Sequence, residues 1–89
     1  MKNVKVEIYT KPGCPFCVRA IALLESKGVH YIEYNVGNDP QKRADLVKIS
    51  NGSRTVPQIF IDGVHVGGCD DIHALDRKGE LDRLLKIAA

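Results

Sequence analysis

With 89 residues the chain has room for one compact domain, residues 1–89. A 44% apolar content supports a small core and argues against disorder, and a net charge of +2, from 13 basic and 11 acidic residues mixed along the chain, argues against a nucleic-acid binder. The longest wholly apolar run, Ala20 to Leu24, is far too short to cross a bilayer. The first residues, Met1-Lys2-Asn3-Val4-Lys5, are interrupted by charge and read as the lead into a strand rather than a secretion signal. The apolar run Val4 to Thr10 is strand-like, with Val4, Val6 and Ile8 alternating with Lys5, Glu7 and Tyr9. A helical pattern begins near Pro15, buries Ala20, Ile21, Leu23 and Leu24, and meets a stop signal at Gly28.

His30 to Val36 is rich in β-formers and predicts a second strand, so this part of the chain predicts a right-handed parallel βαβ unit. Gly37-Asn38-Asp39-Pro40 is punctuation, with Asp39 as the cap of a second helix and Pro40 at its first position. Ala44, Leu46 and Val47 are its expected buried side, and Ser50 to Ser53 ends it. Gln58 to Ile61 predicts a strand, Asp62-Gly63 a hairpin turn, and Val64 to Val66 the returning strand. Gly67-Gly68 breaks that strand, and Asp70 is the expected cap of a third helix, which contains Leu75 and ends at Gly79. Leu81, Leu84, Leu85 and Ala88 recur at helical spacing for a last amphipathic helix. The order β-α-β-α-β-β-α-α predicts an α/β fold, a mixed four-stranded sheet with helices packed on both faces.

The chemistry concentrates at Cys14-Pro15-Phe16-Cys17, between the first strand and the first helix. Two cysteines at this spacing and in this context read as a thiol–disulfide redox site. The first backbone N–H groups of a helix have no partner within it, and its dipole is positive there, so a sulfur held at that point ionises more easily. Cys17 lies about one turn further in, within disulfide reach of Cys14. Lys11 brings a cation that favours a nearby thiolate. A structural zinc site needs about four Cys or His ligands. Beyond the pair the chain offers only Cys69 and three scattered histidines, so no metal site is expected. Three cysteines cannot all pair within one chain, which points to a reducing, cytoplasmic setting rather than a stapled fold.

Three motifs in order, Cys14-Pro15-Phe16-Cys17, Thr55-Val56-Pro57 and Gly67-Gly68-Cys69-Asp70-Asp71, give the chain a resemblance to the dithiol glutaredoxins of bacteria, over nearly its whole length. The resemblance implies a thioredoxin fold and glutathione-dependent reduction of protein disulfides and glutathione mixed disulfides, with glutathione as reductant and no tightly bound cofactor. It implies Cys14 as nucleophile and Cys17 as resolving thiol. It implies a glutathione groove of Lys11, Phe16, Arg43, Thr55, Val56, Pro57, Gly68, Cys69 and Asp70, with a cis bond before Pro57. Glutathione and disulfide-containing or glutathionylated proteins are the implied partners of a monomer, ribonucleotide reductase among the candidate recipients. The two glycines are expected to let the ligand backbone approach, and Asp70 to meet the ammonium group of glutathione. The motif carries Phe16 where the family commonly has tyrosine, so the ring is kept and one hydroxyl is lost. Cys69 also has a plain reading as a small buried residue. A thioredoxin is the nearest enzyme alternative, but the chain has no tryptophan for that family's active-site motif. An iron–sulfur carrier is the other class, which the second thiol, Cys17, and the rigid Pro15 disfavour.

Overall fold

The computed structural model describes residues 4–53 and 55–87. Its elements are β1 (Val6–Thr10), α1 (Pro15–Ser26), β2 (Ile32–Asn35), α2 (Pro40–Ile49), β3 (Gln58–Ile61), β4 (Val64–Gly67), α3 (Cys69–Arg77) and α4 (Glu80–Leu85). The sheet runs in the order β2-β1-β3-β4. β1 pairs with β2 in parallel, while β3 is antiparallel to both β1 and β4. This is the mixed four-stranded α/β sheet of a thioredoxin fold. Two strands are shorter than their sequence runs. β1 begins at Val6 rather than Val4, and β2, an edge strand paired on one side only, covers Ile32–Asn35 instead of His30 to Val36.

Period-two alternation decides which face of β1 is buried: Val6, Ile8 and Thr10 point into the protein. Val6 and Ile8 join Ala20 and Leu24 of α1, Ile59 and Ile61 of β3, Cys69 and Ile72 of α3, and Leu81 and Leu85 of α4 in one core. Each fully buried Leu or Ile contributes roughly 1.5–3 kcal/mol relative to exposure. Leu84, expected in the same seam, is exposed. In a helix of only Glu80–Leu85, the i, i+4 pair Leu81 and Leu85 fills the core-facing stripe and Leu84 lies off it. Ala88 lies outside the described residues. Lys27, at the end of α1, holds the layer together from the rim, with Nζ 2.6 Å from Asp76 and 2.7 Å from Asp82.

α2 lies over the other face. Its Lys42 ammonium sits 5.5 Å above the Tyr34 ring, which stacks on Tyr9 at 4.8 Å. The hairpin turn Asp62-Gly63 has positive φ at both positions, as a tight two-residue turn requires. Asp39 caps α2 as expected, accepting the Lys42 N–H at 3.0 Å. Of the three residues expected to be buried in α2, only Leu46 is; Val47 is half-buried and Ala44 exposed. They border a groove instead of the core, which a helical repeat cannot distinguish.

Candidate active site

The groove opens where three loops meet: the turn from β1 into α1, the segment before β3, and the step from β4 into α3. Cys14 is the N-cap of α1. Its sulfur accepts the Cys17 backbone N–H at 3.2 Å, and Pro15 follows at the first helical position, where no N–H is needed. The Cys14 Sγ lies 3.8 Å from the Val56 carbonyl oxygen. Val56–Pro57 is a cis peptide bond. Gly13 enters the turn with φ +70, and Gly37 abuts its other side, where an added Cβ would come within 2.7 Å of the Pro12 ring. The loop after β2 therefore braces the cysteine turn, a contact between distant segments that no local motif announces.

Both thiols are buried, at 8% and 3% exposure, but Cys14 borders the cavity and Cys17 does not. Burial, then hydrogen bonding with the Cys14 sulfur, pushes the Cys17 thiol up to about 12. All three cysteines are unpaired thiols. Cys69 is buried at the first position of α3, and burial raises its thiol as well. Its Sγ is 3.5 Å from His73 Nδ1, which in turn donates to the Cys69 carbonyl at 2.8 Å, an i, i+4 contact of a histidine that the sequence reading left without a role.

The groove has two lobes that share Phe16, Thr55 and Val56. The larger, about 620 Å³, runs from Cys14 under α2 and includes Lys11 and Arg43. The smaller, about 230 Å³, includes Pro57, Gly68, Cys69, Asp70 and Asp71. Ten of the eleven residues singled out from the sequence thus border one cavity or the other, and Cys17 lies behind them. Phe16 stands half exposed at the junction, with the Arg19 guanidinium 5.8 Å from its ring centre. Arg43 commits two donors to the loop after β2, from Nε to the Val36 carbonyl at 2.9 Å and from Nη2 to that of Gly37 at 3.4 Å.

Two expectations change at α3. The cap is Gly68, not Asp70, and Asp71 rather than Asp70 supplies the capping carboxylate, accepting the Gly68 N–H at 2.9 Å. Asp70, one position earlier, is exposed and free of that duty. Gly67 is required by the backbone itself. Its φ is +113, and an added Cβ would overlap the Asp71 carboxylate. Gly68 does face the groove segment, where an added Cβ would meet the Pro57 carbonyl at 3.1 Å. Val36, Ala44, Leu46 and Val47, which line the large lobe, were not marked from the sequence as site residues. Among the described residues no three His, Cys, Asp or Glu side chains gather as a metal site.

A glutaredoxin family model matches residues 6–66. Glutaredoxin 3 of Escherichia coli K12 is 58% identical over 81 residues, which span 91% of this chain and 96% of the relative. The chain belongs to the glutaredoxin family. A probable glutaredoxin of Synechocystis is 54% identical over 93% of the chain and 94% of its own length. Among solved structures, glutaredoxin from Brucella melitensis superposes with a TM-score of 0.85 at 51% identity, covering 97% of this chain and 92% of that one. A buckwheat glutaredoxin–glutathione complex superposes with a TM-score of 0.83 at 31% identity, covering 93% and 81%. This glutaredoxin is a glutathione-dependent thiol–disulfide oxidoreductase, with glutathione as its reductant.

Proposed function

We propose that Cys14 is the attacking thiol, Cys17 the resolving thiol, and the two-lobed groove the glutathione site. The position of Cys14 carries the proposal: its sulfur caps α1 at the edge of the large lobe, 3.8 Å from the carbonyl of Val56, a residue that lines both lobes. Charge supports one orientation of glutathione. Its γ-glutamyl ammonium would lie against Asp70, and its glycine carboxylate toward Lys11 and Arg43. Its extended backbone would pair with Val56 as an added strand. Gly68, Cys69, Pro57, Thr55 and Phe16 form the walls of this reading.

With a glutathionylated protein, the Cys14 thiolate attacks the glutathione sulfur. The target's sulfur leaves and takes up a proton, and Cys14 carries glutathione. A second glutathione thiolate attacks that glutathione's sulfur and releases glutathione disulfide and the Cys14 thiolate. With a protein disulfide, Cys14 joins one target sulfur and the other leaves. Cys17 then attacks the Cys14 sulfur, gives up its proton and frees the target, leaving Cys14–Cys17 oxidised until two glutathiones reduce it.

The raised Cys17 thiol supports this division of labour. Part of what holds its proton is the Cys14 sulfur itself, through hydrogen bonding and charge. Once Cys14 is in a mixed disulfide, that part is gone, so Cys17 becomes easier to ionise at the step that uses it. The cycle starts from two reduced thiols in one subunit, which supports a monomer in the reducing cytoplasm, acting on glutathionylated and disulfide-bonded proteins, with ribonucleotide reductase a candidate recipient.

The test is glutathione-coupled reduction of a small mixed disulfide, with glutathione reductase and its nicotinamide cofactor. Turnover by the parent and none by Cys14→Ser is expected. Turnover that persists in Cys14→Ser would remove the assignment.

A further inference from the structure

The large lobe holds more than a glycine needs. Beside Lys11 and Arg43, its floor and wall are Val36, Leu46, Ala44 and Val47, and a cavity of about 620 Å³ is within the range that takes a sizeable ligand. A terminal glycine has no side chain to set against that apolar wall. Among the described residues its lining is also one-sided in charge, with two cations and no acidic residue, while that of the small lobe has Asp70 and Asp71 and no cation. We infer that the large lobe reads the residues that follow the disulfide cysteine of a polypeptide substrate, seating an apolar side chain on Leu46 and Val47 and a carboxylate beyond it against Lys11 and Arg43. This rests on the orientation proposed for glutathione, whose amino end lies at Asp70.

The chain geometry allows it. A strand paired along Val56 advances about 3.3 Å per residue, so the one or two residues after a cysteine joined to Cys14 reach the α2 wall directly. The same residues placed before the cysteine would run into the acidic lobe, where a carboxylate is repelled. The site therefore discriminates by the order of residues around the cysteine. An apolar side chain on a preformed wall commonly changes selectivity by about tenfold or more.

Two end-capped peptides, Ser-Cys-Leu-Leu-Asp and the reversed Asp-Leu-Leu-Cys-Ser, each joined through cysteine to 2-mercaptoethanol, test this against the fully reduced protein without glutathione. Cys14 attacks the peptide sulfur and 2-mercaptoethanol leaves with a proton. Cys17 then attacks Cys14, and the peptide leaves as a thiol, so one disulfide is reduced as the protein pair is oxidised. The forward peptide is expected to oxidise the protein about tenfold faster. Val47→Glu, or Ala44→Glu at an exposed position should the first not fold, is expected to remove most of that advantage by placing a carboxylate on the wall. Equal rates for the two peptides, or an advantage untouched by a folded Glu variant, would overturn the inference. Glutathione disulfide and bis(2-hydroxyethyl) disulfide run alongside. If glutathione disulfide is no faster, the glutathione orientation and this inference fall together; if it is faster while the peptides are equal, only this inference falls.

Discussion

Two helices begin at the same groove and satisfy their first backbone N–H groups in different ways. α1 has no acidic residue in its first turn, and a sulfur does the capping: Cys14 accepts the Cys17 N–H. α3 has Asp70 and Asp71 in its first turn, and the second of them reaches back to the Gly68 N–H. At α1 the partial positive charge of the helix start falls on the sulfur proposed as the attacking thiol. At α3 it is already balanced by carboxylates, so that end is suited to docking a cation rather than to making a thiolate. Cys69 illustrates the contrast. It also sits at a helix start, yet burial, with the nearby charge of Asp70, raises its thiol. Helix position alone does not activate a cysteine.

The largest break in this comparison is expected at α1. Cys14→Ser should lower every disulfide-reducing activity by at least about a thousandfold, because a hydroxyl is not ionised near neutrality. Cys17→Ser should separate two activities. Deglutathionylation persists, since it needs only Cys14 and a second glutathione, while reduction of a protein's own disulfide falls and a Cys14–target adduct accumulates on a non-reducing gel. Equal loss of both in a folded variant would mean an obligate dithiol site.

A pH experiment sharpens the same side. The Cys17 thiol is pushed from an ordinary 9.0 to about 12 in the folded, reduced protein. Between those values the unfolded chain has lost this proton and the folded chain still holds it. The contribution is therefore fully present below pH about 9 and is lost as pH rises toward about 12. Cys69, Tyr9, Tyr31, Tyr34 and Lys27 are also raised and act with the same sign, so the difference from a variant is the measurement. In denaturant unfolding under reductant, Cys17→Ala should show a shallower fall of stability across that window, by a slope of at most one proton. Parallel curves would show that Cys17 does not carry this shift.

At the α3 end, Gly67→Ala tests the fit between β4 and the cap. It forces a side chain into φ +113 and onto the Asp71 carboxylate. A cost of about 1–3 kcal/mol is expected, and each 1 kcal/mol lowers Tm by roughly 4–8 °C in a domain of this size. An unchanged melting temperature would mean that the α3 start rearranges freely.

What the sequence disclosed, and what it did not, follows the same division. Local signals carried far: the strand alternation of Val6 and Ile8, the Asp39 cap, the Asp62-Gly63 turn and the place of Cys14 before Pro15 all concern residues within a turn of one another. The element order followed from them. At α3 the local reading went to the wrong carboxylate, because Asp70 looks like a cap beside the glycines, whereas the chain caps at Gly68 and takes its acceptor three residues on. The large lobe was the least legible feature. Ala44 and Val47 have the spacing of a core face, and only the meeting of α2 with the cysteine turn makes them the wall of a cavity. Resemblance supplied the groove residues Thr55 to Pro57 and Gly68 to Asp70, which periodicity could not have named.

The smallest effects come from the two neighbouring aspartates, and they should separate stability from binding. Asp71 gives its carboxylate to the Gly68 N–H, so Asp71→Ala removes a helix-start acceptor and should cost about 1 kcal/mol of stability. Asp70 is exposed at the lip of the small lobe, and Asp71 already fills the capping role. Asp70→Ala should therefore leave stability within about 0.5 kcal/mol, as surface changes usually do. If its carboxylate meets the ammonium of glutathione, the KM for glutathione should rise by roughly fivefold, the scale of an exposed ion pair of up to about 1 kcal/mol, and the rise should shrink as salt is added. Denaturant midpoints and glutathione KM, measured on both variants at low and high salt, give eight numbers. A KM effect confined to Asp70 and a midpoint effect confined to Asp71 support the division between docking and capping. An unchanged KM in a folded Asp70→Ala protein removes Asp70 from the glutathione site and leaves the small lobe to its backbone groups alone.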